Sequence, residues 1–143
     1  MEVPERILDR RLFGFVVALT ATSGSLWFSE SMGLVPCELC WFQRIFMYPL
    51  VPLLGIAYLK RQNVLEYVLA LSVPGFAVAS YHNYLQMTPA KGSCTSAVPC
   101  SVVQYSFHGV TIPQMSLTAF GLITVAYLLV FVDLNTGIPE AIN

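Results

Sequence analysis

Charge is what this sequence has least of. Seven basic and eight acidic residues among 143 leave a formal net charge of -1, and charged types make up only 10% of the chain. A soluble domain carries roughly 25%. The chain has no basic field with which to hold phosphates, so nucleic-acid binding is excluded, and apolar content of 56% excludes disordered and collagenous classes. It also lacks internal repeats, low-complexity stretches and the sustained alternation that a barrel strand needs. Four spans of about 20 residues would use roughly 80 positions, which leaves no room for a separate soluble catalytic domain. What remains is a bilayer protein with a mean hydropathy of +0.67.

Four apolar runs follow. The first, 12–28, is uncharged and comes after Arg6, Arg10 and Arg11. A signal peptide begins the same way, but this run is long for a signal core, so it reads as a span. The second, 41–59, is closed by Lys60, Arg61, Gln62 and Asn63, and Pro49 and Pro52 predict a kink. The third, 64–84, contains Glu66 and Pro74-Gly75, both tolerable inside a bundle. The fourth, 115–132, is again uncharged. The expectation is an all-α membrane protein, a single domain over 1–143 built as a bundle of four transmembrane helices. Outer loops would fall at 29–40 and 85–113.

Orientation follows from the basic residues, which are retained on the cytoplasmic side when they flank short loops. With four spans, Arg6, Arg10, Arg11, Lys60 and Arg61 share one face, while Lys91 stands alone on the other. Both termini are therefore expected in the cytoplasm and both outer loops outside it, in the cell membrane. Trp27 and Trp41 flank the first outer loop as aromatic anchors would.

All four cysteines fall on that outer side, in two close pairs. Cys37 and Cys40 sit in Pro36-Cys-Glu-Leu-Cys-Trp41, with Pro36 suited to open the second helix. Residues three apart on a helix lie within disulfide reach, and the positive end of the helix dipole favours a thiolate, so a reactive pair is expected there. Arg44 follows Cys40 by one turn on the same face. Two readings stand for it: a cation that holds a Cys40 thiolate or a reduced ligand, or an interfacial residue whose charge snorkels to water. Cys94 and Cys100, with five residues between them and Lys91 nearby, form either a static loop staple or a second exchanging pair. A lone His82 near the outer end of the third span reads more readily as a polar anchor than as a working group, and His108 is assigned no role.

Taken together, these segments resemble the DsbB family of membrane disulfide oxidases, in its short-loop BdbC-type branch. The resemblance is carried by Pro36 to Pro49 with its Cys-x-x-Cys-x-x-x-Arg pattern, by Tyr81-His-Asn-Tyr-Leu-Gln86, by the Cys94 and Cys100 pair, and by Thr111 to Phe120. It implies a four-helix enzyme, a protein dithiol:quinone oxidoreductase. Such an enzyme reoxidises a DsbA- or BdbD-like thioredoxin-fold thiol oxidase and passes the electrons to ubiquinone or menaquinone in the membrane, supporting disulfide formation in exported proteins. By the family pattern the partner attacks Cys94, Cys100 exchanges with Cys37, and Cys40 is released as the thiolate facing the quinone. Arg44 would hold that thiolate and the quinone, and His82 would help to bind the ring. The best-studied branch has a longer stretch between its loop cysteines, so the division of roles between Cys94 and Cys100 stays open here. Vitamin K epoxide reductase type proteins also couple two cysteine pairs to a quinone, but there the loop pair precedes the Cys-x-x-Cys pair.

Two rival classes remain. Four thiols can make a metal cage, but five residues between Cys94 and Cys100 exceed the usual spacing and no metal is expected. A small membrane interaction protein with purely structural disulfides is the alternative function.

Overall fold

The structure, a computed structural model, describes residues 5–88 and 98–136. Cys94 and Lys91 lie outside the described residues, together with the expectations placed on them. Helix α1 runs over Glu5–Glu30, α2 over Glu38–Met47, α3 over Leu50–Lys60, α4 over Leu65–Met87 and α5 over Ile112–Asn135.

Each apolar run becomes helix, and the ends differ for local reasons. The first helix begins seven residues before its apolar run, because Arg10 and Arg11 ride its first turns: Arg10 pairs with Asp133 near the end of α5, and Arg11 is buried. The second run breaks between α2 and α3 at Tyr48-Pro49, where Pro49 caps the helix that follows. That is the kink expected of a proline, which withholds an N–H and crowds the preceding turn. Pro36 does not open α2, contrary to expectation; Cys37 is its N-cap in extended conformation, and Glu38 is the first helical residue. At α5 the start moves outward to Ile112, because the Gln114 side-chain oxygen accepts the Thr111 N–H at 3.0 Å and Pro113 suits the first turn.

A two-stranded antiparallel hairpin was not foreseen. β1 (Ser106–Phe107) pairs with β2 (Val110–Thr111) through a turn at His108-Gly109, and both turn residues have positive φ, 51° and 84°. That is the geometry a two-residue hairpin turn demands.

Among the described residues, three helical stretches are long and apolar enough to cross a membrane: Glu5–Glu30, Glu38–Lys60 and Ile112–Asn135. α4 is of similar length, 23 residues, and carries the polar residues Ser72, His82 and Asn83, which are buried. Large apolar side chains such as Leu122, Val125, Leu129 and Val132 stay about half exposed along α5, a surface only lipid would cover. The core runs between the helices, with Leu50, Leu54, Val68, Phe120, Ile123 and Tyr127 fully enclosed.

Two sets of contacts fix which helix ends share a face. The Arg10–Asp133 pair joins the start of α1 to the end of α5. Both partners are substantially exposed, so it contributes no more than about 1 kcal/mol and marks the topology more than it stabilises it. At the opposite end Asn83 donates to the carbonyls of Ala79 at 2.8 Å and Pro113 at 2.9 Å, tying the end of α4 to the start of α5. Described cysteines all lie at this second end.

Candidate active site

The first pair is set by the entry to α2. Cys37, as N-cap, and Cys40, at the third helical position, bring their Sγ atoms to 3.1 Å as free thiols that share a hydrogen bond. Cys37 is buried in a small apolar cluster with Cys100 and Leu85. Its thiol is held far below the ordinary range, at about 4, first by the hydrogen bond with the Cys40 side chain and then by the His82 ring, against the upward push of burial.

His82 joins the two pairs. Its Nε2 lies 3.7 Å from the Cys37 sulfur and 3.1 Å from the carbonyl oxygen of Cys100, while Nδ1 faces the Gln43 side-chain nitrogen at 2.9 Å. The ring is 1% exposed, so these contacts are made without water. Cys100 is itself disulfide-bonded and almost wholly buried.

Arg44 reaches back to the end of α1. Its Nε donates to Ser25 Oγ at 3.1 Å, and its Nη2 donates to the Ser25 carbonyl at 3.2 Å and to Ser29 Oγ. The guanidinium also stands 5.4 Å from the Trp41 ring centroid, within cation–π range. Those bonds use Nε and Nη2 and leave Nη1 outside the set.

A half-open cavity lies between these groups, lined by Cys37, Cys40, Gln43, Arg44, Tyr48 and His82. The segment after Cys100 closes one rim: Gln104 donates to the Val35 carbonyl at 2.9 Å, and the Tyr105 ring packs on Phe28 at 5.4 Å. Cys37, Cys40, Cys100, Arg44 and His82 are thus gathered in one place. His82 is enclosed between Cys37 and the Cys100 backbone.

Gln43 was missed. It follows Cys40 by three residues and so shares its helical face, and an amide buried inside an apolar span was the available signal. Ser25, Ser29 and Tyr48 were also unmarked, because their value depends on how α1 docks against α2.

The donor atoms of Cys37, Cys40 and His82 lie within 4.8 Å of one another, a spacing that a metal ion accepts. However, the nitrogen nearest the sulfur faces a backbone carbonyl, which can only accept, so that nitrogen carries a hydrogen and offers no lone pair. The geometry favours a dithiol beside a hydrogen-bonding imidazole.

Comparison with known proteins agrees with this chemistry. A model of the family described as disulfide bond formation protein DsbB matches residues 9–130. The chain belongs to the DsbB family. It is 45% identical over 116 residues to disulfide bond formation protein C of Bacillus subtilis, covering 78% of this chain and 84% of that one. A probable disulfide formation protein C of Halalkalibacterium halodurans is 42% identical over 132 residues, covering 88% and 96%. Membership of the DsbB family makes the chain a membrane protein of disulfide bond formation.

Proposed function

We propose that this protein is a thiol:quinone oxidoreductase of the cell membrane. It spans the bilayer four times with α4 as the third span, keeps both termini in the cytoplasm and holds both cysteine pairs outside it. Its reduced substrate is a thioredoxin-fold thiol oxidase of the DsbA or BdbD kind, and its electron acceptor is a membrane quinone, ubiquinone or menaquinone.

The observation that carries this reading is the position of His82, against Cys37 on one side and the Cys100 backbone on the other, at the wall of a cavity that also exposes Cys40 and Arg44. A pair of staples has no use for a buried imidazole between them. In the proposed cycle the partner's thiolate attacks Cys94 of a Cys94–Cys100 disulfide. The bond between those sulfurs breaks, a mixed disulfide forms, and Cys100 leaves as a thiolate. Cys100 then attacks Cys37: the Cys37–Cys40 bond breaks, the Cys37–Cys100 bond forms, and the electron pair leaves on Cys40. The partner's second thiol resolves the mixed disulfide, the partner departs oxidised, and Cys94 is released as a thiolate. Cys94 then attacks Cys100, so that the Cys37–Cys100 bond breaks, the Cys94–Cys100 bond is restored and the electron pair rests on the reduced Cys37 and Cys40.

The cavity beside Cys40 suits a flat ring with polar oxygens, because it combines a cation, a phenol and an amide with apolar walls. Arg44, His82 and Tyr48 would hold the ring there. A bound quinone supplies a sink for two electrons and two protons. Arg44 keeps negative charge favourable on that side, while His82 favours it on Cys37, so the two sulfurs of the reduced pair meet different surroundings.

Trapping tests the cycle. A reduced thiol oxidase that keeps its attacking cysteine but has its second cysteine replaced by serine is expected to open the Cys94–Cys100 disulfide and stay attached through Cys94, as a mixed disulfide visible on a non-reducing gel and absent from a Cys94→Ser variant. If no such adduct forms, and a Cys40→Ser variant keeps full activity, the disulfides are structural and the oxidoreductase reading fails.

A further inference from the structure

We propose that Gln43 is a positioning residue for exchange between the two cysteine pairs. Its side-chain amide fixes the His82 ring as the Nε2–H tautomer, and that N–H holds the Cys100 backbone beside the Cys37 sulfur. The proposal rests on the exchange described above and adds the device that aligns it.

The direction of each bond follows from what the groups can do. A backbone carbonyl has no hydrogen to give, so the Nε2 that faces the Cys100 oxygen at 3.1 Å must donate. A neutral imidazole with its hydrogen on Nε2 has its lone pair on Nδ1, and whatever stands there must donate in turn. Gln43 presents its nitrogen at 2.9 Å. Both side chains are at least nine-tenths buried, so no water substitutes if either bond is lost. Without the amide, the Nδ1–H tautomer becomes accessible. In that form the Nε2 lone pair faces the carbonyl oxygen, and the contact that seats Cys100 turns repulsive.

The same Nε2 lies 3.7 Å from the Cys37 sulfur, so one N–H serves both the attacked sulfur and the backbone of its attacker. Gln43 sits on α2 three residues beyond Cys40. The helix that carries the first pair therefore sets the ring that receives the second. In the aligned step one thiolate, Cys100, is consumed, one sulfur–sulfur bond is exchanged for another, and one thiolate, Cys40, is released, with no outside reductant.

Two measurements test this in the full-length protein. The first is the nitrogen-15 spectrum of the histidine rings, with His108→Gln separating the two histidines. The unsubstituted His82 ring is expected to be protonated at Nε2 and bare at Nδ1, and Gln43→Leu is expected to give a mixture of tautomers. The second uses a Cys94→Ser background, in which Cys100 lacks its loop partner. There the Cys37–Cys100 bond is expected to form from the oxidised first pair, and adding Gln43→Leu should slow it about tenfold, the effect of losing one buried hydrogen bond. With all four cysteines in place, Gln43→Leu should leave the KM for the thiol oxidase unchanged. A His82 ring protonated at Nδ1 with Gln43 in place overturns the proposal whether or not the Gln43→Leu variant folds. So does a Gln43→Leu protein whose tautomer and exchange rate both match the parent. Absence of any Cys37–Cys100 bond, with the expected tautomer in place, overturns the exchange reading while leaving the ring assignment intact.

Discussion

At Cys37 three influences meet: a hydrogen bond with the neighbouring thiol, an imidazole N–H, and burial, which opposes both. The first two prevail and hold the thiol well below its ordinary range, which favours the thiolate at neutral pH. Because the folded value is depressed, the stabilisation linked to this charge is complete above the thiol's ordinary value of about 9 and is lost as pH falls toward about 4. The ultraviolet absorbance of the reduced protein is expected to show one thiolate persisting through neutral pH and disappearing only near pH 4. A Cys40→Ala change, which removes the largest cause, should move that midpoint upward. A midpoint near 8 to 9 in the unsubstituted protein would show that neither neighbour acts on the sulfur. At this scale the cysteines, Arg44 and His82 were legible in the sequence because polar and reactive residues stand out in an apolar chain. Gln43 was not, because an uncharged amide next to an arginine looks like part of the interface until α4 is docked against it.

The helices hold each other by close fit, since lipid gives them no hydrophobic reason to associate. The tightest approach is between α4 and α5 at Gly75, where an added Cβ would lie 2.2 Å from the Phe120 ring. Phe120 is fully buried and has little freedom to step aside. Gly75→Ala is expected to cost about 1 to 3 kcal/mol and lower the thermal midpoint in detergent. Gly24→Ala, where nothing lies within 4 Å, should leave it unchanged or slightly raised. A Gly75→Ala protein as stable as the parent would mean that the two helices do not meet there. The order of the helices could be read from the apolar runs, and Pro49 announced the break that divides the second run into α2 and α3. Their ends were less visible, because Arg10 and Arg11 belong to a helix only once Asp133 is across from it. The hairpin at 106–111 left almost no trace, since strands of two residues have no periodicity and His108-Gly109 is a weak turn signal.

On the scale of the whole molecule, the fold separates two ends. One carries Arg10 paired with Asp133, and the other gathers Cys37, Cys40 and Cys100 around one imidazole and one cavity. The meeting of Cys37 and Cys100 at His82 was not legible in the sequence, because it requires α2, α4 and the segment at Cys100 to be in place. The proposed function needs electrons to enter at that second end from a soluble dithiol and leave through the cavity into a lipid-soluble acceptor. The deciding experiment mixes membranes containing the protein with a reduced thioredoxin-fold oxidase and a quinone, and follows quinone absorbance and partner thiols together. Loss of one quinone for each partner disulfide formed, dependent on Cys40, is the expected result. Partner oxidation no faster than in membranes lacking the protein would contradict it.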